Sequence, residues 1–170
     1  MTVRILSFVF VYVLLNASVS AQTKVSSTMK CEKPDPSYGV EVQDHPGHVM
    51  ALQKFACAFP NVPDFGTDKG KNASGVTAAD ITATRITYSG SFVNNMDSGD
   101  KAFTSVKGST IVKDGKPEGD HGTWVYTGGT GKFKGIKGKG TYKGTVNGDG
   151  TSTVEFEGEF ELSHQTSAKK

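Results

Sequence analysis

The sequence predicts an all-β protein: a single small antiparallel β-barrel of about eight strands, with lipocalin-like proportions, behind a cleavable signal peptide. Three observations carry that expectation. Leucine is scarce while glycine, threonine, valine, phenylalanine and tyrosine are plentiful, which disfavours helix and favours strands and turns. Residues 153–162 place Val154, Phe156, Gly158, Phe160 and Leu162 in strict alternation with Glu155, Glu157, Glu159 and Glu161, the period-two pattern of a half-buried antiparallel strand. Turn-forming glycine segments separate this stretch from others like it.

The chain opens with the three parts of a secretory signal in order. Arg4 supplies positive charge, and residues 5–15 are apolar apart from Ser7 but shorter than the roughly 20 residues that span a bilayer. Residues 16–21 are small and end with Val19 and Ala21 at the positions that signal peptidase reads, so cleavage is expected after Ala21. Residues 1–21 are then the signal peptide and residues 22–170 one β-barrel domain, a size that supports a core of its own. The expected location is periplasmic or secreted, with no membrane association after cleavage. The formal net charge is +2, and removal of Arg4 brings it nearer neutrality. A nucleic-acid binder needs a basic excess gathered on one face. Here the lysines alternate with glycines or face glutamates, so no nucleic-acid partner is expected.

Cys31 and Cys57 are the two cysteines of the chain. In an oxidising compartment they are expected to form one disulfide, tying the N-terminal strand to the next and stabilising by about 3 kcal/mol through the unfolded chain. A zinc site would need both thiols to converge with His45 and His48, and there is no CxxC pair; no metal is expected. Strands are expected at 29–33, 49–59, about 80–93, 101–112, 118–127, 138–146 and 153–162, with an eighth if the stretch 71–77 supplies one. Hairpin turns fall at 95–100, at Lys113-Asp114-Gly115-Lys116 and at Asn147-Gly148-Asp149-Gly150. Neighbours joined by short turns make a meander, and closing it removes exposed edges; an open sandwich is the alternative.

Residues 124–144 repeat glycine between lysines and aromatics without forming a phosphate loop. Tyr126 stands where the first glycine of that motif belongs, and Phe133 where its serine or threonine belongs. The structural reading is a tight corner at Gly128, Gly129 and Gly131, followed by a bent strand. There is no GxSxG elbow for nucleophilic catalysis. The sequon Asn72-Ala73-Ser74 carries meaning only in a glycosylating host, and residues 165–170 read as a polar tail.

Gly128-Gly129-Thr130-Gly131-Lys132-Phe133, followed by Ile136-Lys137-Gly138 and a Gly-Thr-Tyr strand, resembles the glycine signature of plant dirigent proteins and the allene oxide cyclase barrels. The chain is also similar to exported bacterial proteins of unknown function that pair this ending with an upstream Pro-Gly-His, here Pro46-Gly47-His48. The resemblance implies an eight-stranded barrel with an apolar cavity, often in homo-oligomers. In the two plant families it implies a cyclisation or radical coupling guided by cavity shape without a cofactor. It carries over no catalytic residue, and it argues for fold more than for activity.

Two main functional classes follow. The first is a module that binds a small apolar ligand inside the barrel. Its expected lining is Phe103, Trp124, Tyr126, Tyr142, Phe156 and Phe160, with Arg85 as a polar addition; the competing reading is that these rings fill the interior. The second is a cofactor-free cyclase or isomerase using positioning and proton transfer. Asp120, His121, His45, His48 and Arg85 are its candidate polar groups, each with a surface role as the plainer reading. A structural scaffold is the third class.

Overall fold

The computed structural model describes residues 22–66 and 68–163. The signal segment expected at 1–21 and the tail expected at 165–170 lie outside the described residues. Nine strands follow one another: β1 (Thr23–Cys31), β2 (Ser37–Glu41), β3 (Val49–Ala58), β4 (Gly70–Ile81), β5 (Arg85–Met96), β6 (Lys101–Lys113), β7 (Lys116–Gly129), β8 (Lys137–Val146) and β9 (Ser152–Glu161), with one 3-10 turn at Gly131–Phe133. From β2 to β9 each strand pairs antiparallel with its sequence neighbours, and β1 pairs with β9 along its whole length.

The ring closes where the end of β1 meets β3, with Lys30 opposite Ala58 and Cys31 opposite Cys57. The expected disulfide is present at that last pair, Cys31–Cys57, and covalently fastens the shortest seam of the barrel. β2 lies outside the ring of eight, because it takes the other half of the same β3 edge, Ser37 to Glu41 against Gln53 to Val49. It leaves Tyr38, Val40, Met50 and Leu52 exposed.

Three boundaries differ from the sequence reading. The stretch 71–77 does supply a strand, β4, which runs on to Ile81, and the strand expected at about 80–93 begins only at Arg85 as β5, the two joined by a turn at Thr82. That turn has no glycine or proline; the Thr82 hydroxyl instead accepts from Arg85 N–H at 3.1 Å and donates to Arg85 O at 2.9 Å. β1 begins at Thr23, not near residue 29, because its polar first half is paired residue by residue with β9. β2 was not expected at all: it is short and exposed throughout, so no alternation marks it.

The glutamates of β9 face outward as the alternation requires. Lys137, Lys139 and Lys143 of β8 stand opposite Glu161, Glu159 and Glu155, cross-strand pairs that each contribute roughly 0.2–1 kcal/mol. The inner face carries Phe156 and Phe160, and at one end of the barrel the rings meet in a plug. Phe65 stands edge-on to Phe133 with centroids 6.0 Å apart and lies 5.9 Å from Phe160.

The glycine corner holds the plug in place. Thr130 N–H donates to Lys101 O at 2.8 Å, the Thr130 hydroxyl accepts from Lys101 N–H at 2.9 Å, and Lys132 N–H donates to the Asp100 carboxylate at 3.0 Å. Gly131 adopts φ 50°, and a Cβ on Gly129 would sit 2.5 Å from Lys101 O and 2.6 Å from Phe133 O, so neither position accepts a side chain without movement.

Candidate functional site

Above the plug the barrel encloses a cavity of about 430 Å³, within the range of sites that hold one small molecule. It reaches the rim formed by Lys33, Pro34, Pro117 and Gly150, which sit at or beside strand ends and hairpin turns. Its walls come from the alternation on each strand. Ile86, Tyr88, Phe92 and Asn94 of β5 point in, as do Thr104, Val106 and Thr110 of β6, and Met29, Phe55, Val154 and Phe156 complete the apolar part.

The alternation on β7 changes phase twice. Between Thr104 opposite Tyr126 and Phe103 opposite Gly128, one extra residue enters β7; between Thr110 opposite Asp120 and Ile111 opposite Glu118, another does, and there Gly119 takes φ 64°. Between the two the alternation is undisturbed, so Asp120, Trp124 and Tyr126 share the inner face, and the second irregularity brings Pro117 to it as well. Inward glycines make room for the larger rings. A Cβ at Gly140 would lie 2.5 Å from the Trp124 ring, and one at Gly122 would lie 2.5 Å from Tyr142 Cζ. The Trp124 Nε1–H is buried without an acceptor, so shape rather than hydrogen bonding sets the indole's position.

Besides the Asn94–Thr104 pair, in which the Asn94 amide donates to the Thr104 hydroxyl at 2.8 Å, an acidic cluster interrupts the apolar wall. Tyr88 OH donates to Asp120, with Oδ1 at 2.7 Å and Oδ2 at 2.8 Å, and stands 2.6 Å from Tyr142 OH; Thr110 OH donates to Asp120 Oδ1 at 3.0 Å. Burial raises the Asp120 pKa above the usual carboxylate range and outweighs the opposing hydrogen bonds from Tyr88 and Thr110. Burial is also the largest cause holding the Tyr88 hydroxyl well above its ordinary value, with the Asp120 charge adding to it, and it raises Tyr142 and Tyr126. The phenols thus remain donors through the neutral range. Chemically the cluster offers a carboxyl group whose protonated form burial favours, held in place by the Tyr88 and Thr110 hydroxyls with Tyr142 bonded to Tyr88, against an aromatic wall. The described residues in it contain no thiolate or imidazole, and its one carboxylate is too few donors to hold a metal ion.

Of the residues expected to line the cavity, Trp124, Tyr126, Tyr142 and Phe156 do so. Phe160 faces inward but lies in the buried plug, 2% exposed. Two positions need correction. Phe103 is on the outer face, because its neighbours Ala102 and Thr104 take the buried inner positions. Arg85 is exposed at the start of β5 and donates to Ser109 Oγ at 3.3 Å outside the barrel. Asp120 is in the cavity, whereas His121, its neighbour, is exposed on the opposite face. His45 and His48 lie in the β2–β3 loop and do not line the cavity.

Sequence reasoning missed Tyr88, Thr110, Phe92 and Phe55. The alternation of Ile86, Tyr88, Gly90 and Phe92 with Thr87, Ser89 and Ser91 could have phased β5. The meeting of Tyr88, Tyr142 and Asp120 from three strands depends on register, which no local pattern encodes.

No family model matches the chain, and no curated protein does. Among solved structures, a protein of unknown function of the DUF3224 family from Shewanella oneidensis is 18% identical, with 83% of this chain and 98% of that chain covered and a TM-score of 0.49. Two pterocarpan synthase dirigent proteins are 13% and 14% identical at a TM-score of 0.50. They cover 84% and 91% of this chain and 96% and 97% of their own. The barrel accordingly has a dirigent-like fold, and at these identities the likeness extends to the fold alone.

Proposed function

We propose that this protein binds one small, largely apolar molecule with an oxygen function inside its barrel, oriented by Asp120. The observation that carries the reading is the open cavity of about 430 Å³, with aromatic walls and a single carboxyl cluster on one side. Apolar lining with a few convergent polar groups is the common design of small-molecule sites. The ligand's ring or chain lies against Phe92, Trp124 and Phe156, and its oxygen exchanges hydrogen bonds with Asp120 and Tyr142. Export through residues 1–21 belongs to the same proposal, and the disulfide suits an oxidising compartment outside the cytosol.

The test uses Trp124, the only tryptophan of the chain. Titration with hydrophobic dyes, fatty acids, terpenoids and small phenols is expected to shift or quench its emission with at least one class. No change with any of them, in protein folded by circular dichroism, refutes the reading.

A second reading is favoured by the raised pKa of Asp120. A protonated carboxyl beside an apolar pocket can give a proton to one atom of a bound molecule, and its carboxylate can take one from another, an isomerisation that needs no cofactor. Under this reading Asp120→Asn abolishes turnover of a ligand that it still binds. Equal turnover by the variant leaves binding as the function.

A further inference from the structure

Outside the barrel, the β2–β3 loop gathers side chains that the cavity does not use. The loop reverses sharply: Val42 N–H donates to His48 O at 3.0 Å, and Gly47 turns the chain at φ 77°. The reversal stacks the rings of His45 and His48, centroids 4.6 Å apart. Both Nδ1 atoms then face one carboxylate oxygen, Asp44 Oδ1, at 3.0 Å from His45 and 2.6 Å from His48. All three donor atoms lie within 4.8 Å of one another. From β4, Asp80 Oδ1 approaches the far nitrogen of His48 at 3.2 Å. That nitrogen is buried and makes no aligned hydrogen bond.

We propose that Asp44, His45 and His48 form a binding site for a divalent transition-metal ion of the zinc type, with water completing the coordination and Asp80 orienting His48. Two imidazole nitrogens and one carboxylate oxygen are donors that such ions accept. With bonds of about 2.0–2.1 Å, two ligands on a tetrahedral ion stand roughly 3.3 Å apart, so the two spacings to Asp44 Oδ1 widen by a fraction of an ångström while the imidazole nitrogens, within 4.8 Å of each other, adjust to the same distance. The Asp44 and His45 side chains, 52% and 50% exposed, have room to do so, while His48 at 14% is held.

A metal-bound histidine commonly donates its other N–H to a carboxylate, which fixes its tautomer. Binding through Nδ1 would place the proton of His48 on Nε2, facing Asp80, and give that buried nitrogen its acceptor. The ligand set differs from the one considered from sequence, histidines with cysteines, because both sulfurs are committed to the disulfide. Its partners are the aspartates on either side of His48, one in the loop and one brought by β4.

The test is made on untagged protein beginning at Gln22, stripped with a chelator and titrated with Zn²⁺ in competition with a chromophoric chelator. One equivalent is expected to bind. His45→Ala and Asp44→Asn are expected to weaken it by at least about tenfold, and Asp80→Asn by about tenfold, each with unchanged circular dichroism. Replacing both other histidines, His121 and His164, is expected to leave the affinity as it is. Cu²⁺ loaded in place of Zn²⁺ is expected to show coupling to two nitrogens by electron paramagnetic resonance. Absence of a stoichiometric site, an affinity that His45→Ala does not change, or loss of binding on replacing His121 and His164 overturns the proposal.

Discussion

At one end of the barrel Phe65, Met96, Ala102, Phe133 and Phe160 are each at most 2% exposed, and the glycine corner ties the chain beneath them to the β5–β6 turn. At the other end Lys33, Pro34, Pro117 and Gly150 surround an opening, with Asp120, Tyr88 and Tyr142 on the wall below it. One end is filled by buried rings and carries stability; the other leaves space and carries the carboxyl cluster of the cavity. The difference shows how a barrel of this size divides its interior, since eight strands enclose too little volume for a full core and a ligand site at the same level.

The largest effect is expected at the plug. Phe133→Ala removes a fully buried ring and should cost about 3–5 kcal/mol, read as a loss in urea midpoint; a shift within error would mean the plug is not what closes the barrel. The bridge comes next. Replacing Cys31 and Cys57 together by serine should cost about 3 kcal/mol, because the seam it fastens pairs only Lys30–Ala58 and Cys31–Cys57. Hydrogen exchange in that variant should rise first in β1 and the second half of β3.

The glycines sharpen the comparison. Gly129→Val, at the plugged end, should cost about 1–3 kcal/mol through overpacking. Gly148→Ala, in the β8–β9 turn at the open end with no atom within 4 Å of its Cβ position, should stay within about 0.5 kcal/mol. Equal costs at the two sites would show that the corner is a flexible loop.

A smaller effect, visible only in its pH dependence, is expected at Asp120. Its folded pKa is raised by burial, so its contribution is fully present below the unfolded value near 4 and is lost as pH rises through the folded value. Asp120→Asn should therefore gain stability relative to the parent protein as pH rises from about 4; a difference independent of pH means that the carboxyl titrates normally. The smallest effect should be that of Phe103→Ala on ligand-induced Trp124 quenching, since Phe103 is outside the barrel, whereas Phe156→Ala should weaken the quenching severalfold.

The sequence by itself determined the strand type, the turns around Gly115 and Gly150, the disulfide and the outward glutamate ladder. Each is local: a period of two, a positive-φ requirement, or two cysteines with no third to compete. It also placed Trp124 and Tyr126 on one inner face, because they are two residues apart on one strand. What only the tertiary structure decided was everything that depends on register between strands. The choice of which face of β6 turns inward put Phe103 outside, and the pairing of β5, β6, β7 and β8 brought Tyr88, Thr110, Asp120 and Tyr142 to one place. Such register is fixed by the collective burial of the inner face and not by any one segment, which is why the walls of the cavity were partly legible in the sequence and its polar cluster was not.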